Sequence, residues 1–232
     1  MTGAGQDPAG AAARRSVRGF RADPLPREVV ARLLAAARAA PSGANLQPGR
    51  FHVLTGAPLA GLSAALLAGI AAGRPMVSEY SYFPTPMPPH LKARQRAAGF
   101  ALYDALGIAR RDLEGRRRQF EENYRFFGAP VGIVVTIERG MGKGCFMDLG
   151  MAIQSLLLAA HAEGLGTCGI GALANYGDLV AEHLCLPPEE MVVCGIALGR
   201  ADPGHPANAV RTERLALADF ASFSGFPDTP EG

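Results

Sequence analysis

Five residues near the start of the chain, Arg14-Arg15-Ser16-Val17-Arg18, hold three guanidinium groups and a hydroxyl within reach of one small ligand. An arginine fork donates two parallel hydrogen bonds, which suits phosphate oxygens and planar carbonyl groups. Ser16 adds a donor for a sugar-like hydroxyl. The same pentapeptide also suits a solvated basic leader. Pro41-Ser42-Gly43-Ala44-Asn45-Leu46-Gln47-Pro48 offers Ser, Asn and Gln side chains that can read the carbonyls and ring nitrogens of a heterocycle. Those residue types equally serve helix caps and turns. Gly169-Ile170-Gly171-Ala172 lets backbone approach a flat ligand closely, or is an ordinary loop. Arg211 and Arg214, beyond Asn208, supply either further phosphate charge or surface arginines.

Other letter patterns fail on context. Gly164-Leu165-Gly166-Thr167-Cys168-Gly169 spells a dinucleotide fingerprint, but that motif must follow a strand and open a helix, and here it follows a long helical pattern. His183 and Cys185 lack the partners a metal site needs. The four cysteines, Cys145, Cys168, Cys185 and Cys194, form no C-x-x-C and no zinc spacing, so they are expected as reduced, mostly buried thiols. No G-x-S-x-G, H-E-x-x-H or Walker A sequence occurs, which leaves hydrolase and P-loop readings without support.

The elements that must position these residues follow from periodicity. Val29, Val30, Leu33, Leu34 and Ala37 recur at helical spacing and predict a helix over 26–40, stopped by the Pro41 loop. A short strand is expected at Phe51-His52-Val53-Leu54 and a helix over 58–72. The proline-rich run 81–89 cannot be regular helix or central strand. Helices on either side of Gly107 should follow, making 74–127 an insertion of the kind that serves as a lid, embraces a partner or simply decorates a surface. Val131 to Ile137 predicts a strand buried on both faces. Residues 148–163 predict a helix that is apolar nearly all round and therefore central. Residues 176–184 predict another helix, 191–198 a buried strand, and 215–223 a last extended or helical piece. This mixed order without a βαβ repeat predicts an α+β fold, a sheet packed between helices.

Composition bounds the rest. The 232 residues suffice for one large domain or two small ones, and the reading takes 14–226 as one domain with a loose leader at 1–13 and tail at 227–232. Hydrophobic residues at 48% against 19% charged exclude global disorder. A net charge of +2 is too balanced for a chain that lives by nucleic-acid binding. Apolar stretches such as Leu156 to Ala160 fall short of the ~20 residues that span a bilayer, and no secretory leader is recognisable, so no membrane role and a cytoplasmic location are expected.

In this order the motifs resemble the nitroreductase family of FMN-dependent oxidoreductases. The resemblance rests on Arg14-Arg15-Ser16-Val17-Arg18, Pro41-Ser42 with Asn45 and Gln47-Pro48, Asp148-Leu149-Gly150, Gly164-Leu165-Gly166-Thr167, Gly169 to Ala172, and Gly199 with Arg214. Asn123 to Val131 is similar to the branch that includes nitrobenzoate reductases. The resemblance implies a three-layer α/β/α sandwich around a mostly antiparallel sheet, and an intertwined homodimer with FMN sites at its interface. It places Arg14 and Arg214 on the FMN phosphate, with Arg211 as a weaker candidate, and Arg15 and Ser16 on the ribityl and phosphate region. Arg18 would face flavin N1 and O2. Pro41, Ser42 and Asn45 would come from the other subunit, and Gly171, after Gly169 and Ile170, would present its backbone N–H to flavin N5.

The implied activity is a ping-pong transfer of hydride from NAD(P)H through FMN to a nitroaromatic or quinone-like acceptor. It needs no dedicated acid, nucleophile or metal, because the flavin does the chemistry. The alternatives are another redox reaction on the same fold (desaturation, reductive dehalogenation or flavin fragmentation) and a non-enzymatic flavin-binding module. Two departures bear on substrate preference: Gly171 stands where some members carry a carboxylate, and Gly49-Arg50 stands where an aromatic residue often follows Gln-Pro. Tyr82, Phe83, Tyr124, Phe126 and Phe127 are candidate stacking residues, or else core or dimer contacts.

Overall fold

The computed structural model describes residues 10–77 and 79–226. Helix α1 (Arg27–Arg38) starts after Pro26, carries Glu28 in its first turn and Arg38 in its last, and buries Val30, Leu33 and Ala37 along one stripe. The polar loop leads from it into β1 (Arg50–Thr55), and α2 (Gly56–Ala71) returns with Leu59, Leu62 and Leu66 buried. The insertion contains α3 (Pro89–Ala105) and α4 (Leu113–Glu121), the latter capped by Asp112, whose carboxylate accepts Gly115 N–H at 2.8 Å. Then come β2 (Val131–Glu138), α5 (Lys143–Ala162), β3 (Gly166–Ile170), α6 (Gly177–Leu184), β4 (Glu190–Gly199) and a short α7 (Leu217–Phe220).

The sheet is antiparallel throughout, in the order β1-β2-β4-β3. Ile133, Val135 and Ile137 of β2 face α1 and α5, while Val134 faces α2 and the buried Tyr124 and Phe126. Both faces of β2 are therefore covered, as its continuous β-branched run requires. Two apolar layers with helices outside them make the α/β/α sandwich. A bulge at Val193 of β4 lets two residues oppose one between Val135 and Thr136. The Tyr80 hydroxyl donates to the Val193 carbonyl at 2.6 Å and pins the start of the insertion to the sheet.

Several expectations change. Gly169 and Ile170 are not loop: they end β3, an edge strand with two glycines and no alternation to announce it. Helix α5 begins five residues early, at Lys143, so Asp148 lies in its second turn. At 20 residues it is long and apolar enough to span a bilayer, unlike the short stretches visible in sequence, yet it packs on the sheet beside α1. It is also not buried all round, since only Leu149, Leu156 and Ala160 are buried, while Met147 and Met151 are exposed. The thiols vary too: Cys168 is buried, Cys145 and Cys194 are half-buried and Cys185 is exposed, all free. The leader lies outside the described residues up to residue 9; residues 10–13 form a turn in which Gly10 O accepts Arg14 N–H and Gly10 packs on His161. The tail 227–232 also lies outside them.

Candidate functional site

The arginine segment runs alongside β3, joined to it by a single bridge. Ser16 bridges Thr167 in parallel, and Val17 N–H donates to Thr167 O at 2.9 Å. Gly166 makes this approach possible: a Cβ there would sit 2.7 Å from Val17 Cγ2. The extended backbone sends alternate side chains to opposite faces. Val17 is buried, whereas Arg14, Ser16 and Arg18 are half-buried and share one side with the Cys168 thiol. Burial pushes that thiol up, and it is opposed by the charge of Arg18, a hydrogen bond with Ser16 and the charge of Arg14. Arg15 falls on the alternate face and is exposed. No carboxylate pairs with Arg14, Arg15 or Arg18 among the described residues, although eight other arginines are paired.

Asn208 is a buried hub that sequence reasoning passed over. Its Oδ1 accepts Arg18 N–H at 2.7 Å, and its Nδ2 donates at 2.8 Å to the carbonyls of Gly19 and Asp202. It ties the arginine segment to the chain beyond β4. Nothing in the local sequence marks it, because its partners lie up to 190 positions away. Arg211 and Arg214 leave from this point but fold onto nearby backbone carbonyls, Arg211 on those of Asn208, Ala209 and Val210 and Arg214 on those of Thr212 and Glu213. Both are exposed and make no hydrogen bond to the arginine segment among the described residues.

Gly171 opens a 3₁₀ turn (Gly171–Asn175) directly after β3, where the first N–H groups have no partner within the turn. The Tyr82 ring roofs it, 2.9 Å from where a Cβ would stand, and Tyr82 packs edge-on to Phe83 at 4.8 Å. These residues line a cavity of about 490 Å³ with Gln95, Phe120 and Asn175. Tyr82 and Phe83 are 63% and 51% exposed, so they alone of the five candidate stacking residues reach solvent. Tyr124, Phe126 and Phe127 are core.

The Pro41 loop lies at the other side of the sheet, before β1. Ser42 Oγ accepts Gln47 N–H at 2.9 Å, Gln47 Nε2 donates to Asn45 O, and Gly43 N–H donates to Asp148 Oδ2 at 3.1 Å. Ala44, Asn45 and Gln47 adopt positive φ, so the loop is held in one tight shape. It borders a cleft of about 340 Å³ with Leu34, Phe51 and Asp148. Pro41, Ser42 and Asn45 therefore stand on the β1 edge, while Arg14, Ser16, Arg18, Gly169, Ile170 and Gly171 stand on the β3 edge. One chain does not bring the two sets together.

The donor set on the β3 edge fits FMN: guanidiniums with no carboxylate partner among the described residues for a phosphate and a reduced isoalloxazine, a hydroxyl for the ribityl chain and a backbone N–H at the start of a 3₁₀ turn beneath an aromatic roof. Comparison with known proteins agrees with this chemistry. The chain is 37% identical over 215 residues to the 4-nitrobenzoate reductase of Pseudomonas putida, covering 93% of this chain and 94% of that one. The FMN and NADPH-dependent nitroreductase NfnB from Sphigopyxis sp. strain HMH superposes with a TM-score of 0.91 at 38% identity, covering 95% of this chain and all of that one. The FMN-dependent NfnB from Mycobacterium smegmatis, solved in complex with NADPH, gives 0.88 at 32% identity over 94% of this chain and all of that one. The nitroreductase family model matches residues 11–200, and the chain belongs to that family.

Proposed function

We propose that the protein is an FMN-dependent oxidoreductase that passes a hydride from NAD(P)H to a nitroaromatic or quinone-like acceptor. The observation that carries this reading is the convergence of Arg14, Ser16 and Arg18 on the Cys168 thiol of β3, the strand that runs into Gly171, with no carboxylate paired to these arginines among the described residues. When bound, FMN supplies hydride acceptance and donation at N5. The protein's part is placement and charge. Arg14 holds the phosphate, with Arg214 joining once its tail is drawn in, and Arg211 and Arg15 adding peripheral charge. Ser16 orients the ribityl chain. The Arg18 guanidinium stabilises negative charge on the N1 and O2 side, which favours the reduced form. Gly171 offers its N–H toward N5, and Tyr82 with Phe83 walls the pocket in which donor and acceptor stack in turn.

The opposite placement of the two half-sites supports a homodimer in which Pro41, Ser42 and Asn45 of one protomer complete the site of its partner. The exposed Met147 and Met151 on α5 and the exposed Leu217, Phe220, Phe223 and Phe226 of the tail support the same assembly, as apolar surface that a second copy would cover. The test is direct. Purified protein should be yellow, should bleach anaerobically on adding NADPH or NADH, and should regain its colour with 4-nitrobenzoate. A preparation that stays colourless after incubation with excess FMN overturns the reading.

A further inference from the structure

The α3–α4 hairpin carries a charge excess that flavin binding does not use. Residues 89–121 hold eight Lys and Arg against four Asp and Glu, in a chain whose net charge is only +2. Most of the acids are engaged: Glu114 with Arg118, Glu121 with Arg117, and Asp112 with the first turn of α4. Asp104 borders a neighbouring hollow with Arg110 and Arg116 but pairs with neither. Arg96, Arg110, Arg111 and Arg116 thus line a concave cleft of about 740 Å³ with no carboxylate paired to any of them among the described residues.

The cleft combines guanidinium groups with aromatic faces. Arg110 stacks over Phe100 at 5.2 Å and Arg116 over Tyr103 at 4.9 Å. Such stacking fixes each guanidinium plane and leaves its N–H edges able to donate, apart from the Arg116 Nη1 that already donates to the Arg110 carbonyl at 3.4 Å. The cleft also adjoins the proposed active site. Gln95 lines both this cleft and the cavity at Gly171, and α3 packs on the 3₁₀ turn (Pro206–Ala209) that carries Asn208.

Resting on the NAD(P)H-dependent reading above, we propose that this cleft binds the adenosine 2′-phosphate end of NADPH and selects NADPH over NADH. Gln95 bounds the cavity beneath Tyr82 and also lines the cleft, so a dinucleotide held in that cavity by its nicotinamide would have the cleft as its continuation, whereas a one-ring acceptor would not need it. NADPH differs from NADH only by a 2′-phosphate dianion in place of a hydroxyl, and unpaired guanidiniums discriminate strongly between those two groups. The Phe100 and Tyr103 rings offer apolar faces for the adenine.

The experiment compares holoprotein with the Arg96→Gln/Arg111→Gln and Arg96→Lys/Arg111→Lys variants, residues whose side chains make no hydrogen bond or ion pair among the described residues. With 4-nitrobenzoate as acceptor, KM for NADPH should rise about tenfold or more in the glutamine variant, with KM for NADH moving less than about twofold and the lysine variant between. Direct titration of holoprotein with adenosine 2′,5′-bisphosphate reads the cleft without turnover; its Kd should weaken in parallel, while adenosine 5′-monophosphate binds weakly to all. Flavin absorbance per chain should stay constant. Equal shifts for both nucleotides, no shift for either, or a rise confined to KM for 4-nitrobenzoate would overturn the proposal. Turnover with unchanged bisphosphate binding sinks the cleft alone. Bisphosphate binding that the variants lose, in a protein that oxidises neither nucleotide, sinks the oxidoreductase reading and leaves the phosphate site standing.

Discussion

Arg18 has its backbone tied down by Asn208 and its guanidinium unpaired, a combination that suits a fixed cation. Replacing it with Ala should leave some FMN bound through Arg14 and Ser16 but slow flavin reduction by about tenfold or more, because a hydrogen bond to a charged group contributes about 1.5–3 kcal/mol. Stopped-flow bleaching with NADPH measures this, and an unchanged rate refutes the role given to Arg18. Asn208→Ala should act differently. It strips three hydrogen bonds, one buried and two part-buried, and should cost about 2–4 kcal/mol in urea unfolding, with weaker FMN retention as the arginine segment loosens. A variant that unfolds at the wild-type urea midpoint contradicts the hub assignment. The arginines were legible in sequence because their chemistry is local and dense. Asn208 was not, since only the fold brings its partners to it.

Element by element, the helices and the two central strands announce themselves through periodicity, and their predicted ranges fall within a few residues of the observed ones. β3 does not. Its first glycine, Gly166, admits Val17, and that reason lies in tertiary packing. Gly166→Ala should therefore push the arginine segment off β3 and lower flavin affinity more than it lowers overall stability, as read by FMN titration beside urea unfolding; equal losses would argue against it. At the far end of the sheet, Glu190 is only 5% exposed, with the Thr136 hydroxyl donating to it at 2.7 Å and His52 Nε2 3.0 Å away. Burial pushes its carboxyl up, but the hydrogen bonds from Thr136 and His52 and the charges of His52 and Arg50 outweigh it and hold the carboxyl below the usual glutamate range. A carboxylate depressed in the folded state stabilises above its unfolded pKa, and that contribution is lost as pH falls through the folded value. Glu190→Gln should thus be less stable than wild type at pH 7, and the gap should close on acidification. A gap independent of pH would rule out this linkage.

For the whole molecule, the sheet order decides where the half-sites stand. The α+β class and the family resemblance were readable from motif order, but the separation of the Pro41 loop from the arginine segment required the strand order β1-β2-β4-β3. The apolar excess of α5 was readable too, though its destination was misjudged, because an apolar face left at the surface, such as that of Met147 and Met151, looks in sequence like a face packed in the core. If each site is shared, a chain carrying Arg14→Ala/Arg18→Ala, co-expressed with one carrying Ser42→Ala/Asn45→Ala, should give mixed dimers with one intact site of two. Activity of the purified mixed species near half of wild type, against little in either parent dimer, supports sharing; no recovery contradicts it. The edge-to-edge division also has a thermodynamic corollary. A pigment clasped by two polypeptides makes subunit association and pigment affinity reciprocal quantities, so excess FMN should tighten the pair and dilution should release colour and partner together.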